Sequence, residues 1–150
     1  MSTDVFEHIP PYPGIDKAFE NLYKLLKPNG FVVFGVPHTL DDETIEHFPN
    51  LYDYHFTKDN NKIILYNTTI DGKNEIFEDL CFHGGPGDLL HDKGDGSTLE
   101  MRVFCKNDIE RKFYNAGFKE IEYLDIEDQI VKGFGIYWEG PWSLCMIVRK

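Results

Sequence analysis

Residues Asp4–Pro37 read DVFEHIPPYPGIDKAFENLYKLLKPNGFVVFGVP, and the fold is decided there. The stretch parses as the tail of a strand, a loop, an amphipathic helix, a Pro-Asn-Gly stop and a buried strand. Ile15, Ala18, Phe19, Leu22, Leu25 and Leu26 recur at helical spacing, so one face of the helix is apolar. Asp16 near its start and Lys24 and Lys27 near its end suit the helix dipole. Pro28 cannot continue the helix, and Asn29-Gly30 offers the left-handed conformation that ends one. Phe31-Val-Val-Phe34 follows without polar alternation, the pattern of a strand covered on both faces. A helix feeding such a strand through a short turn is half of a crossover unit in a parallel α/β sheet.

Downstream, Leu40–His47 is expected to form a short helix ended by Pro49-Asn50, and Lys58–Lys62 is a turn cluster. Asp71-Gly72 between Ile63–Ile70 and Glu75–Phe82 predicts a β-hairpin. His83–Ser97 is glycine-rich with little to bury, and reads as a long exposed loop. Leu99–Phe104 reads as a short strand. A second amphipathic helix then presents Ile109, Phe113 and Ala116, with Asn107 or Asp108 as N-cap and Gly117 as C-cap. Ile121–Ile126 and Leu144–Val148 are expected strands, separated by the aromatic loop Gly133–Trp142.

The composition bounds the function. With 150 residues, 41% hydrophobic, the chain can form one domain with a real core. A net charge of -11, from 26 acidic against 15 basic residues, opposes nucleic-acid binding, which needs clustered Lys and Arg. Cys81, Cys105 and Cys145 are odd in number and lack C-x-x-C spacing, which argues for a reducing compartment and against a disulfide framework or a cysteine zinc site. The apolar runs are too short for a membrane span, and Asp4 and Glu7 stand where a secretory signal would be basic. A cytoplasmic location is the expectation, without a membrane partner.

Val5-Phe6-Glu7-His8-Ile9, a helix, then Leu25-Leu26-Lys27-Pro28-Asn29-Gly30 and an apolar strand resemble the middle of an S-adenosylmethionine-dependent methyltransferase with the Rossmann-like fold. In that family a V-L-E-H-V-like segment closes the fourth strand and R-x-L-K-P-G-G precedes the fifth. Asn29 stands where the family usually has glycine. Tyr114-Asn-Ala-Gly-Phe118 is similar to the end of the helix before the family's sixth strand. The resemblance implies an α/β fold: a partial Rossmann-like methyltransferase sheet, its last strands and helices, in a single domain over residues 1–150 with an insertion at 38–98 carrying the hairpin. It also implies that the family's glycine-rich cofactor loop has no counterpart in this sequence. The chain is therefore expected to be a truncated, partial or split portion, its partners a missing amino-terminal half or a second copy.

The implied function is methyl transfer from S-adenosyl-L-methionine to a small-molecule acceptor; the alternative is a non-catalytic, methyltransferase-like binding or scaffold protein. On the resemblance, Asp4, Val5, Phe6 and Glu7 lie beside the cofactor and His8 is a candidate general base, since histidine titrates in the useful range. The other reading of Glu7 and His8 is that they orient the loop by hydrogen bonds and touch no substrate. His38, His83, Tyr137 and Trp138 are the candidate acceptor-side residues. For His83 the bland reading is a surface loop, and for Tyr137, Trp138 and Trp142 a cover over the end of the sheet. His38, Asp41, Asp42, Glu43 and His47 match no zinc spacing, a solvated acidic helix start explains the carboxylates, and no metal is expected.

Overall fold

The computed structural model describes residues 1–39, 41–59, 62–78, 80, 99–124 and 145–150. Strand β1 (Ser2–Thr3) runs parallel to β2 (Phe31–Gly35), with Ser2 opposite Phe34 and Thr3 opposite Gly35. The expected strand tail thus stops at Thr3, and a 3-10 turn, Phe6–His8, follows. The first helix, α1, spans Gly14–Leu25 and buries Ile15 and Phe19, with Ala18 and Leu22 packed behind them. Leu25 was expected on that face but is 82% exposed. It lies about a quarter turn off the centre of the apolar stripe, at a point where the helix is ending.

The Lys27–Gly30 turn explains the stop. Gly30 N–H donates to Lys27 O at 2.9 Å, and Asn29 holds φ 61, a left-handed value that asparagine tolerates. A Cβ on Gly30 would sit 2.8 Å from the Lys27 carbonyl oxygen, so this position requires glycine for close approach.

The later elements are β3 (His38–Thr39), β4 (Ile45–Glu46), β5 (Asp53–Asp59), β6 (Lys62–Thr68), β7 (Asn74–Phe77) and β8 (Arg102–Cys105). After them come α2 (Lys106–Ala116), β9 (Glu120–Tyr123) and β10 (Met146–Arg149). The main sheet has the order β1-β2-β10-β9, with β10 antiparallel to both neighbours. Both helices pack on one face of it. Phe34 meets Phe6 and Phe113 edge to face at 4.9 Å, and Phe19 meets Phe113 at the same separation. Such pairs add roughly 0.5–1.5 kcal/mol each beyond their buried area. On the opposite face Phe31 is 54% exposed, Val33 is half-buried and Gly35 is buried, so the second face of β2 is covered only in part. The fold among the described residues is mixed α/β, with one helical layer.

The expected helix over Leu40–His47 is not formed. Asp41 N–H donates to the Thr39 hydroxyl at 3.0 Å, and that hydroxyl donates to the Asp41 carboxylate at 2.7 Å. Such local bonds compete with helical ones. Ile45 and Glu46 then pair with Val103 and Arg102 of β8, so a long-range ladder takes the backbone. The hairpin forms, with Thr68 opposite Asn74 and Gly72 at φ 82. Its neighbour β5, where the sequence suggested no strand, pairs along its length with β6. Leu65 of this three-stranded sheet joins Phe48, Leu51, Leu99 and Met101 in a second, smaller core.

Helix α2 is capped by Cys105, whose sulfur accepts from Asp108 N–H at 3.4 Å, not by Asn107 or Asp108 as expected. Asp108 instead sits in the first turn and accepts from the Thr44 hydroxyl at 2.9 Å. Gly117 closes the helix at φ 106. Among the described residues no helix is long and apolar enough to cross a membrane.

Candidate functional site

Parallel strands share an orientation, so β1 and β2 open their carboxyl ends onto one edge of the sheet, where open α/β proteins bind ligands. Two connections leave that edge: Asp4–His8 after β1, and Val36–His38 after β2. They are tied together where Asp4, at φ 51, donates its N–H to Gly35 O at 3.0 Å.

Within Asp4–His8 the side chains divide. Asp4 is exposed and Val5 is 50% exposed, so both face outward at the edge. Phe6 turns into the core against Phe19 and Phe34, and Glu7 is fully buried. His8 is nearly covered. Its Nδ1 lies 3.0 Å from Leu99 O, and since a carbonyl only accepts, Nδ1 carries the proton. Its Nε2 points at Glu7 Oε1, 3.5 Å away. Both ring nitrogens are thus directed at protein atoms. The Glu7 carbonyl in turn accepts from Met101 N–H at 2.8 Å.

His38 is 4% exposed, and its Nδ1 has no hydrogen-bond partner among the described residues. Burial lowers its pKa, the Val36 backbone opposes the shift, and the Lys106 ammonium adds to it. The ring is therefore neutral at pH 7. Cys145 is also buried at this edge; burial first, and then the Asp4 charge, push its thiol up, away from thiolate chemistry.

One residue that sequence reasoning missed organises the turn. Arg102, wholly buried, donates from Nε to Glu46 Oε1 at 2.7 Å and from Nη1 to the carbonyls of Phe6 at 3.2 Å and Ile9 at 2.7 Å. The sequence around it gives no signal of this: Glu100 and Arg102 alternate with Leu99, Met101 and Val103, the pattern of a strand with one face in water.

The other candidates separate. His47 bonds Glu100 at 3.2 Å, and Asp41–Glu43 lie exposed. Among the described residues no three His, Cys, Asp or Glu side chains gather as metal ligands. His83, Tyr137 and Trp138, together with Cys81, Trp142 and the two loops, lie outside the described residues. A cleft of about 470 Å³ opens between Asp42–Glu46 and the first turns of α2, lined by Thr44, Asp108 and Arg111 among others. Its charged lining differs from the apolar pockets that suit most small ligands.

No protein-family model matches the chain, and no curated protein matches it. Among solved structures, a S-adenosylmethionine-dependent methyltransferase from Clostridium acetobutylicum ATCC 824 aligns at 15% identity with a TM-score of 0.42. That alignment covers 99% of this chain and 55% of the other, so this chain spans about half of that protein's length. A likeness at this level assigns neither a family nor an activity.

Proposed function

We propose that this chain takes part in methyl transfer from S-adenosyl-L-methionine to a small-molecule acceptor, contributing the ligand-facing edge of the sheet. The observation that carries the reading is the parallel β1–β2 pair. Its two carboxyl ends are joined by the Asp4–Gly35 bond, at the segment whose residues resemble the close of the family's fourth strand. The exposed pair fits part of that cofactor. A carboxylate at Asp4 suits an ammonium group, and the aliphatic side chain of Val5 suits a thioether arm, the two features of the cofactor's methionine portion.

The cofactor would supply a methyl group made electrophilic by its sulfonium. The protein's contribution is orientation of the acceptor and removal of its proton where it has one. His8 is the proposed base; its Nδ1 is bonded to Leu99 and its Nε2 faces Glu7, so taking the acceptor's proton requires the ring to turn Nε2 away from that carboxylate. Phe6 and Glu7 support the turn from beneath. His38, neutral and buried after β2, is the proposed acceptor-side residue, with His83, Tyr137 and Trp138 assigned the same role.

The test is an amide NMR titration of the chain with S-adenosylhomocysteine up to millimolar concentration. Asp4, Val5 and the amides of Val36 and His38 are expected to shift together along a saturable curve. No shift in that set, or shifts confined to the β5–β7 sheet, overturns the reading.

A further inference from the structure

We infer that Arg102 and Glu46 are a positioning pair for the Asp4–His8 turn, joining the ligand-facing edge to the 38–98 insertion. This rests on the reading of that turn as ligand-facing. Four observations converge on it. Arg102 is fully buried in a strand, a costly place for a charge unless it is paired and hydrogen-bonded. Its guanidinium spends two contacts on the carbonyls of Phe6 and Ile9, which bracket Glu7 and His8. Its third contact is to Glu46, 56 positions away in β4, an element of the insertion that pairs antiparallel with β8. The chain just before Arg102 is fastened to the same turn, through Met101 N–H to Glu7 O and the His8 ring to Leu99 O.

The chemistry favours arginine. A planar guanidinium presents donors in a fixed fork, so it can hold two carbonyls and a carboxylate at once. A lysine ammonium is a single point on a flexible stem, and cannot keep that spacing. The Phe6 carbonyl also accepts from Ile9 N–H within the turn, at 3.3 Å, so Arg102 acts on the hydrogen bond that closes it. Movement of that turn would rotate His8 relative to Leu99 and Glu7. Glu46 sets where the fork lies: its carboxylate neutralises the guanidinium and also lines the cleft beside α2. Arg102 and Glu46 thus act through His8, Asp4 and Val5, not on a ligand directly.

The test uses Arg102→Lys and Glu46→Gln in the full chain, with Glu120→Gln, a surface partner of Arg149, as control. Glu46 is partly exposed, so its variant keeps the inference testable where Arg102→Lys fails to fold. The first readout is the His8 ring-nitrogen spectrum, expected to show Nδ1 protonated in the parent. In both variants the His8 resonances are expected to move, with the Nδ1–H population reduced, while the control leaves them in place. The second readout is S-adenosylhomocysteine affinity, expected to weaken at least tenfold in Arg102→Lys. Lower melting temperatures with unchanged His8 resonances in every folded variant would overturn the inference, since a merely structural pair predicts that result. Shifted His8 resonances with unaltered affinity uphold the positioning role and overturn instead the reading of the edge as the cofactor site.

Discussion

Asn29 and Gly30 divide the work of one turn, and substitution separates their roles. Asn29 pays the left-handed cost with a side chain that tolerates it, so Asn29→Gly is expected to change stability by less than about 0.5 kcal/mol. Asn29→Val puts a β-branched residue at φ 61 and is expected to cost at least about 1–2 kcal/mol. Gly30→Ala meets the Lys27 carbonyl at 2.8 Å and is expected to destabilise by about 1–3 kcal/mol. Urea denaturation of the three variants gives the order; a neutral Gly30→Ala would show that the turn can open. This turn was legible because its requirements are local. Arg102 was not: the same arginine on a surface strand would need no partner, and its bonds reach back more than 50 positions.

At the scale of elements, α1 is finished by a residue far from it in sequence. Lys150 Nζ donates to the carbonyls of Tyr23 at 2.8 Å and Leu26 at 2.9 Å, two acceptors at the helix's carboxyl end. A cation there also complements the dipole. Lys150→Met keeps much of the aliphatic stem and removes the charge and donors, so it is expected to cost about 1 kcal/mol, read as a lower melting temperature. Added salt is expected to shrink the difference between the two proteins. Helix α2 shows which ends can be read from sequence. Its stop, Ala116-Gly117, is a backbone requirement met by glycine alone, whereas its start is capped by a cysteine, a type that sequence rules do not rank as a cap. Strand β5 was missed for a related reason. Its Tyr54 packs against the second core while Phe56 stays 46% exposed, so burial alone does not mark the alternation.

For the whole molecule, Phe34 is the hub where the sheet meets the 3-10 turn and both helices. Phe34→Ala is expected to cost about 3–5 kcal/mol by calorimetry or denaturation, enough to unfold a marginal domain. The pH dependence follows from His38, whose folded pKa lies below its ordinary value because it is buried. Well above about pH 6.5 the ring is neutral in both states and contributes no slope. As pH falls below that value, the unfolded chain takes a proton that the folded chain refuses, and stability declines until the folded ring also titrates. The slope from one proton is at most about 1.4 kcal/mol per pH unit. His38→Gln is expected to flatten the acid side of the stability profile; an unchanged profile would assign the slope to other groups.

By itself, the sequence determined what depends on a few neighbouring residues: the register of α1, the Lys27–Gly30 turn, the Asp71-Gly72 hairpin and the close of α2. Steric limits and short hydrogen bonds act within a turn or two of chain, so composition at those positions is enough. The tertiary structure alone decided the strand at Ile45–Glu46 in place of a helix, the pairing of β5 and the arginine beneath the candidate site. Each depends on which distant segment arrives as partner, because a backbone amide or a buried charge takes the best acceptor that the fold brings within reach.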